Sequence, residues 1–182
     1  KNSKFSFMGK IFFDVETKKS FQETGGKKED LLVSCAVLFS EETERFVHFR
    51  ENQVEELIEN LFSASMVVGF NLLGFDYYVL KPYTKKDLFS LPTLDLMKEL
   101  QKELGFRLSL DHLALENLGK GKKGSGLDAI KWYREGKIEK LLEYCEYDVQ
   151  ITKELYELGK KQGFLLFRDK VKGERKEVKV SW

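Results

Sequence analysis

Cysteine, histidine and proline each occur only twice in this 182-residue chain. Cys35 and Cys145 are far apart in sequence and form no CxxC pair, which argues against a disulfide-stapled scaffold and for free thiols in a reducing compartment. No Cys/His cluster has the spacing of a structural zinc site. Long apolar runs are lacking too, none approaching the roughly 20 residues of a membrane span. The opening KNSKFSFMGK has no apolar signal-peptide core, so a cytoplasmic protein without membrane contact is expected. Charge of one sign is scarce: 31 basic against 30 acidic residues leave a net +1. That balance argues against a generally basic nucleic-acid coat, and any contact with a polyanion must be local. Repeats and low-complexity tracts are absent.

With 42% hydrophobic and 34% charged residues, the chain has the balance of one domain with a full core. Its most informative stretch is Lys137–Leu158, KIEKLLEYCEYDVQITKELYEL. Ile138, Leu141, Leu142, Cys145, Val149 and Leu155 recur at helical spacing and predict a helix burying one face. Tyr144 and Asp148, four apart, project from neighbouring turns of one face. A carboxylate at the edge of a core-facing stripe is costly unless paired or bound to metal. Either both side chains reach water at a boundary, or other acids converge on them.

Lys10–Val15 (KIFFDV) predicts a central strand, apolar on both faces. Alternation puts Phe12, Asp14 and Glu16 on one side and Ile11, Phe13 and Val15 on the other. Two like charges leaving one face at the end of an apolar strand would repel, and a divalent cation would relieve that repulsion. The polar segment TKKSFQETGGKKED reads as a loop or lid. Leu31–Ser40 and Thr43–Phe49 predict a hairpin, with His48 solvated. Asn52 is placed to cap a helix through Val54, Leu57, Ile58, Leu61 and Phe62. SMVVGF predicts a fourth strand ending near Asn71. Gly74 then permits a tight turn into a short helix bearing Asp76, Tyr77 and Tyr78. Asp76 lies where ligands gather in open α/β sheets; taken alone, a carboxylate stabilised by the helix dipole explains it as well.

LPTLDL predicts a short fifth strand, with Asp95 in a capping or supporting role. Ser109 caps a further helix, on which His112 is most simply exposed. The loop GKGKKGSG lacks the Lys–Ser/Thr pair of a phosphate loop and follows a helix instead of a strand. Lys120, Lys122 and Lys123 are therefore either phosphate contacts or solvated charges. Leu127–Glu135 predicts a helix carrying Trp132 and Tyr133. FLLFRD and RKEVKVSW predict a C-terminal hairpin turning at Lys172–Gly173.

Taken in order, Asp14-x-Glu16 ends a strand, Asn71-x-x-x-Phe75-Asp76 opens a helix, and Tyr144-x-x-x-Asp148 lies on a late helix. This resembles the three motifs of the DnaQ-like, ribonuclease-H-fold 3′–5′ exonucleases, in the DEDDy subgroup with tyrosine in the third motif. The middle motif and the SGLDAIKWYREGKIEKLLEYCEYDVQIT approach to the last are most similar to family-B DNA polymerase proofreading domains. Their stand-alone or helicase-associated bacterial relatives look equally similar. The histidine variant is excluded, because the residue five before Asp148 is Glu143.

The resemblance implies an α/β fold: a ribonuclease-H-like mixed five-stranded sheet flanked by helices, with an added C-terminal β-hairpin. Residues 1–9 would be an N-terminal arm, 10–159 the exonuclease domain and 160–182 the basic hairpin extension. It implies catalysis by Asp14, Glu16, Asp76, Tyr144 and Asp148, the four carboxylates holding two divalent cations, Mg²⁺ or Mn²⁺, as hard oxygen ligands suit. Such a pair stabilises both the attacking and leaving oxygens of an in-line displacement. Tyr144, with an ordinary pKa of about 10, would orient water and not act as base. The implied partner is nucleic acid, single-stranded or frayed DNA first and RNA second, with a helicase or polymerase as companion. Asn71, Phe75, Tyr77, Lys120, Lys122 and Lys123 would meet the substrate, aromatic rings stacking on unpaired bases. A ribonuclease, a structure-specific nuclease or a non-catalytic binding or docking module of the same fold are the alternatives.

Overall fold

A computed structural model describes residues 9–169 and 171–182; the N-terminal arm expected over residues 1–9 thus lies, save Gly9, outside the described residues. Five strands, β1 (Lys10–Thr17), β2 (Val33–Ser40), β3 (Arg45–Arg50), β4 (Met66–Gly69) and β5 (Thr93–Asp95), form one sheet in the order β3-β2-β1-β4-β5. β1–β2 and β2–β3 pair antiparallel, while β1–β4 and β4–β5 pair parallel. This is the mixed sheet the resemblance implies, built from the strands the sequence signals predict, and β1 is central because both its faces are apolar. Ile11, Phe13 and Val15 pack on one side with α1 (Val54–Ser63) and α2 (Tyr77–Leu80). Phe12 packs on the other, beneath α3 (Leu96–Leu104), α4 (Leu110–Leu118) and α6 (Ile138–Gln162). The helix α5 (Gly126–Arg134) leads into α6.

The longest helix, α6, buries Leu141, Leu142, Cys145, Val149 and Leu155, the stripe its spacing predicts. It runs on to Gln162, ending at Gly163, whose φ of 79° is the left-handed conformation that favours glycine. Asn52 does not cap α1. It lies in a 3₁₀ turn over Glu51–Gln53, where the Gln53 side chain accepts the Arg50 N–H at 3.0 Å and α1 starts one residue later. β2 begins at Val33, not Leu31, because Leu32 takes a left-handed φ of 60° after a 3₁₀ turn over Lys28–Asp30. Ser109 caps α4 as expected, accepting the His112 N–H at 3.2 Å.

β6 (Phe164–Arg168) and β7 (Arg175–Lys179) form the C-terminal hairpin, and Leu165, Phe167 and Val178 bury themselves against the α6 side of the core. Its cations are largely engaged within the protein: Arg168 and Arg175 both donate to Glu116 at 2.9 Å, and Lys176 reaches Asp169 at 2.5 Å. His112, read as exposed, instead accepts the Arg168 N–H on Nε2 at 3.0 Å. Among the described residues no helix is long and apolar enough to cross a membrane.

Candidate active site

Strand alternation brings Asp14 and Glu16 to the α6 face of the sheet at the end of β1. Asp14 is half-buried and Glu16 buried, with the register against β2 shifting between Glu16 and Thr17. Such an irregularity re-aims side chains where a strand ends beside a site. Ligand atoms of Asp14, Glu16 and Cys145 all lie within 4.8 Å of one another. The Cys145 thiol donates to the Asp14 carbonyl at 3.4 Å. Its role beside Asp14 escaped the sequence reading, although it adjoins Tyr144 and precedes Asp148 by three.

The middle motif arrives through a left-handed residue. Asn71, at φ 68°, ends β4's path, and a π-turn over Leu72–Asp76 carries the chain back beneath β1. Gly74 leaves space there for the Asn71 side chain, since a Cβ would stand 2.3 Å from Asn71 Oδ1 and displace it. Asp95 fixes the same turn: its carboxylate accepts the Asn71 N–H at 2.8 Å, the Leu73 N–H at 3.0 Å and the Lys98 N–H at 3.3 Å. Asp95 therefore both caps α3 and supports the motif. Asp76 is buried and accepts the Val15 N–H at 3.2 Å, so it serves β1 instead of capping a helix start.

On α6, Tyr144 and Asp148 stand one turn apart, close enough to influence each other's charge, and both face the β1 carboxylates across the cleft. The Tyr144 ring is held edge-on by Trp132 of α5, centroids 5.6 Å apart. Gly124 makes room for that pair, because a Cβ would approach Trp132 to 2.8 Å and Tyr144 to 3.3 Å. Asp111 of α4, which sequence reading passed over, adds its charge beside Asp148 and Tyr144 and is ion-paired to Lys122 at 3.3 Å.

The electrostatics follow from burial of like charges. Burial, then the charges of Asp76, Glu16 and Asp148, push Asp14 well above the carboxylate range. Burial followed by Asp148 does the same to Glu16. Burial raises Asp76 to about 8 against the pull of the Val15 N–H. Asp148 is raised to about 7 by burial and by Asp111, partly offset by Tyr144 and Lys122. Burial and the surrounding carboxylates push Tyr144 upward too, so it stays a neutral phenol and a hydrogen-bond donor. The Cys145 thiol is likewise pushed up by burial and stays protonated.

Four of these groups, but neither Asp76 nor Cys145, border a cleft of about 370 Å³. Asp14, Glu16, Tyr144 and Asp148 line its floor, and Phe21, Phe75 and Leu127 its apolar wall. The Phe21 and Phe75 rings meet edge-on at 5.8 Å. Phe21 belongs to the loop after β1, which Arg134 ties down through Glu23 at 2.6 Å.

Not every residue expected to meet substrate reaches this cleft. Tyr77 is fully buried, stacked 6.3 Å from Phe13, with its hydroxyl 2.6 Å from Thr93 Oγ1. It is core, because the turn that aims Asp76 at β1 rolls the next side chain under the sheet. Tyr78 is half-buried beneath the Lys28 ammonium. Lys120 is held by Glu154 at 2.6 Å and Lys122 by Asp111, whereas Lys123 sits 4.2 Å above the Tyr147 ring centre. The cationic loop is thus largely compensated by carboxylates invisible to sequence spacing.

The donor set fits hard dications. Carboxylate oxygens predominate, the Cys145 thiol is held protonated, and clustered carboxylates have like-charge repulsion to relieve. A mixed α/β sheet whose central strand ends in such a cluster defines an acidic site suited to divalent cations. The family match is more specific: the RNase_H_2 model, described as RNase_H superfamily, covers residues 11–159. The chain belongs to the RNase H superfamily, whose members are in general divalent-cation-dependent hydrolytic nucleases. Among curated proteins no match was found.

Proposed function

We propose that this protein is a metal-dependent 3′–5′ exonuclease that hydrolyses phosphodiester bonds at single-stranded or frayed DNA ends. The observation that carries the reading is the meeting of Asp14, Glu16, Tyr144 and Asp148, from β1 and α6, on the floor of one cleft with an aromatic wall. Asp76, hydrogen-bonded from below to Val15, completes the acidic set.

Asp14, Glu16, Asp76 and Asp148 would hold two divalent cations. When bound, these supply Lewis acidity and neutralise charge around the scissile phosphate. The chain's own residues do the rest. Tyr144, a neutral phenol beside Asp148, would orient water next to that carboxylate; it is not a base. Cys145 donates to Asp14 and fixes the strand end. Phe75 and Phe21 offer ring faces and edges to an unpaired terminal base. A duplex end must first be unstacked to use that wall, which favours single strands.

The test is incubation of 5′-labelled single-stranded DNA and RNA with Mg²⁺, Mn²⁺ or EDTA. The reading expects a ladder shortening from the 3′ end with either metal, faster on DNA, and none with EDTA. Internal cuts, or cleavage that EDTA leaves untouched, would overturn it.

A further inference from the structure

A second cleft of about 510 Å³ opens on the other flank of Asp14. Asp14 is the one residue lining both it and the cleft above; the rest of its wall comes from the turn at Phe70 and Asn71, from Met97 of α3, and from the α3–α4 connection and the start of α4. Arg107 lies on that connection, two residues after the left-handed Gly105 that ends α3, and is exposed. Its Nε donates to the Met97 sulphur at 3.0 Å, which pins the side chain and leaves both terminal nitrogens unbonded among the described residues. Arg50, Arg134, Arg168 and Arg175 are each taken up by a glutamate. Arg107 has no carboxylate partner among the described residues.

From this arrangement we infer that the second cleft is an upstream-strand subsite in which Arg107 holds a phosphodiester on the 5′ side of the scissile bond. The inference rests on the exonuclease reading. A strand whose terminal base occupies the apolar cleft, and whose scissile phosphate lies at Asp14, must leave through the other opening at Asp14. A guanidinium braced by a thioether and free of carboxylates presents its two outer nitrogens as a fork matching two phosphate oxygens. Lys120 and Lys122 are already spent on Glu154 and Asp111, so Arg107 is a stronger phosphate contact than either.

Two measurements test it on the intact protein, with Arg107→Ala and Arg107→Lys. The first compares kcat/KM on a single-stranded 12-mer with that on the p-nitrophenyl ester of thymidine 5′-phosphate, which has no upstream phosphate. Arg107→Ala should reduce the ratio of the two by about tenfold, the size of a lost hydrogen bond to a charged group, and Arg107→Lys should restore part of it. An unchanged ratio overturns the subsite. The second is the salt dependence of single-strand binding in Ca²⁺. Losing one phosphate contact should flatten the log–log slope by about 0.7 for Arg107→Ala alone. Equal slopes overturn the inference whether or not the protein cleaves. A slope that depends on Arg107 in a wild-type protein that cleaves neither substrate would instead sink the exonuclease reading, and with it the upstream assignment, leaving Arg107 as a phosphate contact alone.

Discussion

The backbone N–H of Val15, which lies between the two carboxylates of β1, donates to Asp76 Oδ1 at 3.2 Å. The pairing of β1 with β4 extends only to Phe12 opposite Val68, so beyond it a β1 amide on that side has no ladder partner. Asp76 supplies the acceptor, and by doing so binds the middle motif to the first.

That double duty separates charge from shape. Asp76→Asn keeps an oxygen for the Val15 N–H and should fold with near-wild-type stability, yet lose nuclease activity. Asp76→Ala should lose activity and also about 1–3 kcal/mol of stability, because it orphans a buried donor. Urea denaturation of the two variants, alongside the cleavage assay, checks both halves.

Asp148→Ala and Tyr144→Phe should differ in degree. Removing the carboxylate takes away a proposed cation ligand and should abolish measurable cleavage while the circular dichroism spectrum persists. Removing the phenol's hydroxyl leaves its ring against Trp132 and every carboxylate in place, so only the contact with the water it would orient is lost, a loss of about 10- to 100-fold. Equal losses in single-turnover assays would refute the orienting role.

The raised carboxylates make a pH prediction with a definite sign. Asp76 and Asp148 titrate near 8 and 7 when folded, against 3.8 in an unperturbed chain. Between those values the folded site holds more protons than the unfolded chain, so stability falls as pH rises. The contribution is complete below about pH 4 and is lost as pH passes through 7 and 8. In EDTA the melting temperature should therefore be higher at pH 5.5 than at pH 8.5. Mg²⁺ or Mn²⁺, which competes with those protons, should raise it more at the higher pH. Thermal melts at both pH values, with and without metal, provide the check.

Aromatic substitutions should divide by location. Phe75→Ala should weaken single-strand binding in Ca²⁺ by about 1–3 kcal/mol if its ring stacks on a base, with little change in melting temperature. Tyr77→Ala should instead destabilise the fold by about 3–5 kcal/mol, as large-to-small changes in a core do. Comparable effects of the two on binding, with neither affecting stability, would contradict the separate positions of the two rings.

Local sequence determined much of this protein. The strand of apolar residues closed by Asp14-x-Glu16, the sheet of five strands, the C-terminal hairpin and the helical stripe under Tyr144 and Asp148 are all legible, because a period of 2 or 3.6 fixes which side chains share a face. The five residues proposed for catalysis stand on those elements, but the resemblance of their three motifs to a known family, not periodicity, singles them out. What neighbours them is legible in neither. That Cys145 donates to Asp14, that Asp111 charges Asp148, that Glu154 and Asp111 take up the loop lysines and that Tyr77 lies in the core are contacts between elements distant in sequence. Periodicity says which way a side chain points from its own helix or strand; only the packing of one element on another decides what it meets there.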